Sequence, residues 1–176
     1  IQASSLTPWG AWTTFTPVGK MMRVGNVREK KNLLRMLAAG HPKRYLATAT
    51  IGYPFDLMTK VRKALSIDGP AFIHVLAPCP KGWLFDESKT VEISRLAVHT
   101  GMWIQYEIEG GKLKVNYKIG KRKPVGDYLK LQGRFSHLRD IDIATIQEKA
   151  DETAKEYGLG QVKYYREEEK MELLER

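Results

Sequence analysis

Two continuous apolar runs, with a helical pattern between them, constrain this fold more than any other feature of the sequence. The runs Tyr45 to Thr50 and Ala71 to Ala77 are each as long as a typical strand, and each predicts a strand that is buried on both faces. Between them, Pro54 suits the first turn of a helix. A strand, a helix and a strand with short connections form a βαβ unit, so the two strands should be parallel and joined by a right-handed crossover. The sequence therefore predicts an α/β fold.

The helix between the two runs is predicted to be amphipathic. Lys60, Arg62 and Lys63 fall mostly off its apolar face. That apolar face carries Leu57, Met58, Val61 and Leu65.

Weaker patterns predict the remaining elements. The first 26 residues have no helical or strand periodicity, so we expect a long irregular segment there. A helix should follow, from an N-cap at Asn26 to a C′ residue at Gly40. After the βαβ unit, the patterns predict a helix in Lys89–Gly101, a β-hairpin turning at Gly110–Gly111, a short helix in Pro124–Phe135 and an amphipathic helix from Ile141 to Tyr157 closed by Gly158.

The formal net charge of +9 favours acidic partners, such as nucleic acid, phosphorylated ligands or an acidic protein. The basic residues cluster in Lys20–Arg35, Lys60–Lys63 and Lys112–Lys123. The alternative is a solvated basic surface without a partner. No RNA-recognition motif, zinc finger or GxxG clamp accompanies the basic residues, so we do not expect nucleic-acid binding.

Composition excludes two classes of protein. With 43% hydrophobic and 28% charged residues, the chain is neither a disordered nor a membrane-spanning protein. No apolar run approaches the roughly 20 residues of a membrane helix, and the first residues lack the pattern of a signal peptide. We therefore expect a cytoplasmic protein. The chain does not begin with Met, which suggests a processed or truncated piece.

Cys79 is the single cysteine of the chain, so no internal disulfide can form. It follows the second apolar run in a Pro78–Cys79–Pro80 corner, whose prolines restrict the backbone. Ligand sites of open α/β sheets lie outside the carboxyl ends of the strands, where this corner should be. On the residues alone, three interpretations stay open: a buried small hydrophobe, a nucleophile, or one ligand of a metal site.

Each chemical role for Cys79 needs partners that the sequence does not identify. The chain has four histidines, and none has a recognisable spacing to a cysteine nucleophile. The chain has no CxxC motif, so a four-thiolate iron–sulfur site would need three thiolates from another segment. Phosphate-binding GxxxxGK[ST] and GxGxxG motifs are also absent. Hydroxyl groups of the first segment could bind a phosphate or carboxylate, or could brace a loop: Ser4, Ser5, Thr7, Thr13, Thr14 and Thr16.

Four co-linear blocks, which together run from Ile1 to about Leu138, resemble a known family. That family is the β subunit of archaeal-type 2-oxoacid:ferredoxin oxidoreductases, with the pyruvate and branched-chain 2-oxoacid enzymes looking closest. The blocks are "IQASSLTPWGAWTTFTPVGK", "DGPAFIHVLAPCPKGW", "EISRLAVHTGMWIQYEIE" and "DYLKLQGRFSHL".

The resemblance implies part of a thiamine-diphosphate-binding domain, with a mostly parallel sheet flanked by helices, a β-hairpin and C-terminal helices. Residues 1–138 would be the C-terminal half of that domain, and residues 139–176 a C-terminal helical extension. In the family, this subunit binds thiamine diphosphate through Mg²⁺ and carries a [4Fe-4S] cluster. The complex decarboxylates pyruvate or a related 2-oxoacid, transfers the acyl group to coenzyme A and passes electrons to ferredoxin. These molecules and the other subunits are therefore the expected cofactors and partners.

The resemblance also implies roles for particular residues. Cys79 matches the fourth cluster cysteine of the family through its "APCP" corner and is the predicted metal ligand. Gln2, Ser4, Ser5 and Thr7, in the loop that leaves the thiamine site, are the predicted cofactor-binding residues. The family's other three cysteines and its GDG motif have no counterpart in this chain. They should lie upstream of Ile1, in a missing half of the subunit, so we expect the chain alone to be inactive.

Two rival interpretations remain. One is a basic α/β nucleic-acid-binding module in which the cysteine is inert. The other is a non-catalytic interaction subunit that keeps the fold and has lost the chemistry.

Overall fold

The computed structural model describes residues 7–13, 16–21, 23–41 and 44–162. The described residues up to Asn26 contain no helix or strand, as predicted, whereas the first helix begins only at Leu33. In chain order, the elements are α1 Leu33–Gly40, β1 Tyr45–Thr50, α2 Pro54–Leu65, β2 Ala71–Leu76, α3 Pro80–Trp83, a 3-10 turn Glu87–Lys89, α4 Thr90–His99, β3 Tyr106–Glu109, β4 Lys112–Val115, α5 Val125–Leu129, a 3-10 turn Gly133–Phe135 and α6 Asp140–Glu156.

The four strands of the described residues form one mixed sheet in the order β2-β1-β3-β4. β1 and β2 are parallel, in register from Tyr45 opposite Ala71 to Thr50 opposite Leu76. β1 is antiparallel to β3, and β3 is antiparallel to β4. The predicted α/β class and the predicted parallel pair are therefore confirmed. The antiparallel half of the sheet comes from the predicted hairpin.

The hairpin turns at Gly110 and Gly111, as predicted, and both glycines have positive φ angles of 55° and 78°. A two-residue hairpin loop of this kind needs positive φ at both positions, which glycine adopts without a steric penalty. The turn brings Lys112 back opposite Glu109. The local sequence is sufficient to specify this connection.

Helix α2 packs on the sheet in a way that the amphipathic pattern does not predict. Its apolar residues Met58, Val61 and Leu65 are exposed, whereas Lys60 is only 1% exposed. The Lys60 ammonium donates to the carbonyl of Thr48 in β1 at 2.8 Å and to the carboxylate of Asp56 at 2.7 Å. The expectation that Lys60 lies off the buried face is therefore wrong, because a lysine can be buried when its stem packs and its charge is paired.

Strand β2 differs from the prediction in its burial. All six residues of β1 are buried, but Ala71 and Val75 of β2 are exposed and the other four residues are half-buried. Among the described strands, β2 lies at one edge and has a neighbour on one side only. The prediction of burial on both faces is therefore correct for β1 and wrong for β2.

The start of α1 also differs from the prediction. Its N-cap is Asn32, whose side-chain oxygen accepts a hydrogen bond from the Arg35 backbone N–H at 3.2 Å. Asn26 instead donates through Nδ2 to the Thr7 carbonyl at 2.9 Å. Gly40 is the last helical residue rather than the residue after the helix. Both asparagines suit a cap, and tertiary contacts decide which one caps the helix.

In the part of the chain that the structure describes, two apolar clusters form the core. The larger one joins α4, α5 and α6 to the irregular segment before α1, and it contains Ala11, Ile93, Val125 and Ile146. The smaller one lies between the sheet and α1 and contains Leu34, Leu46, Ile108 and Tyr157.

Helix α6 ends as predicted, followed by Gly158 at a φ of 66°. The helix contributes Ile146 and Ala150 to the larger cluster. The proposed domain boundary after Leu138 stays a prediction. None of the described helices has both the length and the apolarity that crossing a membrane requires.

Candidate functional site

Cys79 lies just beyond the carboxyl end of β2, as the sequence predicts. It is the N-cap of the short helix α3, and Pro80 occupies the first helical position. The sulfur accepts a hydrogen bond from the Gly82 backbone N–H at 3.4 Å. Cys79 is a free cysteine, and the residue is of intermediate exposure.

Several packing contacts and one hydrogen bond support the backbone around Cys79. The residue packs against the larger core cluster, and α3 ends at the buried Trp83. Leu84 then adopts a positive φ of 58°, and its carbonyl accepts a hydrogen bond from the Gly133 N–H at 2.8 Å. The guanidinium of Arg134 lies 3.7 Å from the centroid of the Trp83 ring. These contacts hold the corner in one orientation.

Cys79 does not form a metal site with its described neighbours. Across the described ranges, no group of three or more His, Cys, Asp or Glu side chains could hold a metal ion.

Of the predicted cofactor-binding residues, Gln2, Ser4 and Ser5 lie outside the described residues. Thr7 is buried, and its carbonyl accepts the hydrogen bond from Asn26. Two backbone hydrogen bonds also join this segment to Asn26. The Gly10 N–H donates to the Asn26 carbonyl at 2.7 Å, and the Asn26 N–H donates to the Ala11 carbonyl at 3.1 Å. The segment after Thr7 is thus held against the same core cluster that supports Cys79.

A cavity of about 300 Å³ lies between this segment, α1, the sheet and α6. Sequence reasoning missed it, because its residues are distant in the chain. The sequence shows the run "REKK" at residues 28–31 as part of a basic cluster, but it does not show which distant residues lie beside this run in the fold. The described cationic residues that line the cavity are Lys30, Lys31, Arg134 and Lys149. Glu29 is the one acidic residue of the described lining, and it forms an ion pair with Lys149.

The cations of the cavity affect one another. The Lys30 ammonium lies 4.7 Å from the centroid of the Trp103 ring. Burial, with a further contribution from the charge of Arg134, lowers the pKa of Lys30 to about 8. Burial likewise lowers the pKa of Arg134 to about 10. Burial and the charge of Lys30 lower the pKa of His74, whose ring centroid is 5.0 Å from that of Trp103.

The guanidinium of Arg134 has hydrogen-bond acceptors, whereas the indole N–H of Trp103 has none among the described residues. Arg134 is 2% exposed and donates to the Gln132 side-chain oxygen at 2.9 Å and to the Tyr128 hydroxyl at 3.3 Å. Trp103 is 6% exposed, and its indole N–H is buried without an acceptor. A buried donor left without an acceptor costs free energy.

The fold and the corner at Cys79 together define an α/β domain consistent with the thiamine-diphosphate-binding type. Comparison with known proteins gives a more specific assignment. The chain is 53% identical over 159 residues to pyruvate synthase subunit PorB of Methanocaldococcus jannaschii, which covers 90% of this chain and 53% of that protein. It is 46% identical over 164 residues to the subunit of the same name from Methanosarcina barkeri, which covers 90% of this chain and 55% of that protein.

A second name occurs among the relatives. The chain is 46% identical over 149 residues to ketoisovalerate oxidoreductase subunit VorB of Pyrococcus abyssi, which covers 84% of this chain and 47% of that protein. No family model matches the chain. The chain spans about half the length of the curated relatives it matches. Over that span it is a homologue of the β subunits of 2-oxoacid:ferredoxin oxidoreductases, and the resemblance recognised in the sequence is confirmed.

Proposed function

We propose that this chain is the C-terminal half of the thiamine-diphosphate-binding β subunit of a 2-oxoacid:ferredoxin oxidoreductase, in which Cys79 supplies one thiolate of a [4Fe-4S] cluster. The observation that carries the proposal is the identity of 46% to 53% with the PorB and VorB subunits, which covers most of the chain. The homology favours this function over a nucleic-acid-binding module and over a subunit without chemistry. The complex would oxidise pyruvate or a related 2-oxoacid in a coenzyme A-dependent reaction.

The surroundings of Cys79 fit the role of a cluster ligand. A thiolate that binds a cluster must be accessible, and Cys79 is partly exposed. Hydrogen bonds to cluster sulfurs help set the reduction potential, and the Gly82 N–H already donates to this sulfur. Pro80 and the packed Trp83 hold the corner in place. The other three thiolates would come from the half of the subunit that this chain does not include.

Gln2, Ser4, Ser5 and Thr7 are proposed to contact thiamine diphosphate or its Mg²⁺. Support comes from the buried position of Thr7, whose backbone is held by Asn26. When bound, thiamine diphosphate supplies the carbanion that attacks the 2-oxoacid, and the cluster accepts the released electrons. The chain's own residues would orient these groups and exclude water.

The partners are proposed to be the rest of the β subunit, the other subunits of the complex, coenzyme A and ferredoxin. An exposed apolar surface supports the first of these. Met58, Val61 and Leu65 on α2 and Val75 on β2 are exposed large apolar residues. Three of these four residues lie on one helix, and exposed apolar residues that cluster in this way typically mark a protein–protein contact. The basic charge suits an acidic ferredoxin or the phosphates of coenzyme A.

The test is a Cys79→Ser variant in the purified complex, measured by iron and sulfide content and by the EPR spectrum of the reduced clusters. We expect loss or alteration of one [4Fe-4S] signal, because serine does not replace a thiolate with the same affinity. Lys81→Met is the matched control, since it changes an exposed residue of the same corner and leaves the thiol in place. Unchanged iron content and an unchanged spectrum in the serine variant would exclude Cys79 as a ligand.

A further inference from the structure

Lys30 differs from the other lysines that the fold shields from solvent. Among the described lysines, four are buried or half-buried, and three of these form ion pairs. The three pairs are Lys60 with Asp56, Lys63 with Glu109 and Lys149 with Glu29. Lys30 is the fourth, and it forms no ion pair with any residue that the structure describes. Its ammonium lies 4.7 Å from the centroid of the Trp103 ring.

The Nζ atom of Lys30 is open to the cavity. Lys30 lines this cavity of about 300 Å³ and is half-buried. The fully enclosed, unpaired nitrogens of the described side chains include Trp103 Nε1, but they do not include Lys30 Nζ. Lys60, by contrast, is 1% exposed, and its ammonium is held between Asp56 and the Thr48 carbonyl. A small molecule can therefore reach the amine of Lys30 and not that of Lys60.

The surroundings of Lys30 favour its neutral form. A shielded ammonium without a counter-charge is poorly solvated, so its pKa falls. Burial is the main cause that lowers the pKa of Lys30 to about 8. At pH 8 about half of the Lys30 side chains are then neutral, against about 0.3% for a lysine with the ordinary pKa of 10.5. The neutral amine has the lone pair that attacks a carbonyl carbon, so Lys30 has the properties of a nucleophile.

We propose that Lys30 is a nucleophilic lysine that small acyl thioesters acylate in preference to the other described lysines. The neutral Nζ attacks the thioester carbonyl, a C–N bond forms and the C–S bond breaks. The sulfur leaves as a thiol and takes up the proton that the nitrogen loses, so no oxidant or further reactant is needed. The product is an uncharged amide, which suits walls that include Trp9, Trp83 and Ile104 better than an ammonium does.

The cavity and the leaving group define the class of acyl donor. A volume of about 300 Å³ is at the small end of the range for ligand sites, so it suits an acyl group on a short carrier. A thiol with an ordinary pKa of about 8.5 leaves far more readily than an alcohol. The inference goes beyond the proposed function, because it requires neither the cluster nor thiamine diphosphate.

The experiment treats the intact complex with S-acetyl-N-acetylcysteamine at pH 8 and follows acetylation of single lysines by peptide mass spectrometry. We expect Lys30 to react about tenfold faster than the exposed Lys31 and Lys112, since the gain in neutral amine is partly offset by its lower basicity. The rate at Lys30 should level off above about pH 9, whereas an ordinary lysine reacts faster up to about pH 10. A rate no higher than at both exposed lysines, or a rate that rises up to pH 10, would overturn the proposal.

Other charged and titratable groups surround this amine. Burial holds the pKa of His74 below its ordinary value, so its ring stays neutral at pH 8, and Arg134 keeps its charge up to about pH 10. The described groups of this kind that line the cavity are Glu29, Lys31, His74, Tyr106, Tyr128, Arg134, Lys149 and Tyr157.

A charge change beside the cavity tests the assignment to Lys30. Lys31→Glu places a carboxylate in the cavity lining, which should favour the charged form of Lys30 and slow its acetylation about threefold at pH 8. Lys112→Glu makes the same charge change on the exposed hairpin and should alter that rate less than about 1.5-fold. Both positions are exposed, so neither variant removes a core contact. Equal rates at Lys30 in the two variants would contradict the assignment.

The failure of this inference can be told apart from a failure of the proposed function. If the complex oxidises a 2-oxoacid but Lys30 reacts no faster than Lys31, the inference is wrong and the function stands. If Lys30 reacts first and no 2-oxoacid is oxidised, the inference stands and the proposed function is wrong.

Discussion

Strands β1 and β2 pair residue by residue, yet they occupy different environments. β1 is buried along its whole length, while Val75 of β2 is 37% exposed. β1 has β2 on one side and β3 on the other, with α1 and α2 packed against it. β2 lies at an edge of the described sheet. The comparison teaches that an apolar run predicts a strand, but its position in the sheet decides how much of it is buried.

The largest difference is expected for removal of an apolar side chain. Leu46 in β1 is 3% exposed and belongs to the smaller core cluster. Leu46→Ala should lower the free energy of unfolding by about 3 kcal/mol, because it leaves a cavity in a packed core. Val75→Ala in β2 should cost less than about 1 kcal/mol. Urea unfolding followed by tryptophan fluorescence measures the free energy of unfolding of both variants. Equal losses would contradict the claim that β1 is more deeply buried than β2.

The next largest effect is expected at the buried lysine that joins α2 to β1. Lys60→Met removes the hydrogen bonds to Thr48 and Asp56 and should cost about 2 kcal/mol, since it leaves a carboxylate poorly paired. Lys63→Met, on the same helix but in a more exposed ion pair with Glu109, should cost less than about 1 kcal/mol. Adding Asp56→Asn to the Lys60 variant should recover part of the loss. If the double variant is no more stable than Lys60→Met alone, the poorly paired Asp56 carboxylate is not the cause of the lost stability.

A reciprocal swap between the strands should have a smaller effect. The Thr48 hydroxyl donates to the Ile104 carbonyl at 2.7 Å and accepts from the Tyr106 N–H at 2.9 Å. Thr48→Val should cost about 1.5 kcal/mol, because both buried backbone groups lose a partner. Val75→Thr in β2 should stay within about 0.5 kcal/mol of the parent chain. Thermal unfolding compares the two, and a larger cost at Val75 would reverse the ranking of the strands.

The smallest effect expected is a difference in pH dependence. Burial lowers the pKa of His74 in β2 below its ordinary value of 6.5, so the neutral ring is favoured in the folded state. Its contribution is fully present above about pH 6.5 and is lost as the pH falls below that value. His74→Gln should therefore flatten the loss of stability between neutral pH and about pH 5. An unchanged slope would show that His74 is not the group that titrates.

Glu107, which pairs with β1, should respond in a lower pH range. Burial by itself raises the pKa of Glu107, but hydrogen bonds from Tyr45 at 2.6 Å and Asn116 at 3.0 Å outweigh it and hold the pKa below the ordinary 4.5. Its contribution is present above about pH 4.5 and is lost as the pH falls further. Glu107→Gln should leave the slope near pH 6 unchanged and should reduce the loss of stability in acid. His74→Gln should therefore change the stability near pH 6, through β2 on one side of β1, and Glu107→Gln should change it in acid, through β3 on the other side.

Much of the fold could be predicted because its signals are local. The glycine pair of the hairpin requires only the conformations of adjacent residues, and Pro54 marks the first turn of α2. The choice between Asn26 and Asn32 as the cap of α1 could not be made locally. Both residues have a side chain that can cap a helix. The side chain of Asn26 is hydrogen-bonded to the Thr7 carbonyl, and Asn32 accepts the capping hydrogen bond from Arg35.

The candidate site divides in the same way. Cys79 could be placed at a strand end from its neighbours in the sequence, and its role as a cluster ligand follows from the family resemblance. The cavity could not be predicted, because Lys30, Trp103 and Arg134 come from three separate parts of the chain. Nothing in the pattern around Lys30 distinguishes it from the exposed Lys31.

The sequence by itself determined the order and type of the main elements, because hydrophobic periodicity and turn chemistry act over a few residues. It also determined the family resemblance, because sequence identity to the relatives is counted residue by residue and does not depend on the three-dimensional structure. Tertiary structure alone decided that Lys60 is buried, that β2 is an edge strand and that two cations share one cavity. These features depend on which distant groups meet, and burial and electrostatic energies depend on those meetings rather than on position along the chain.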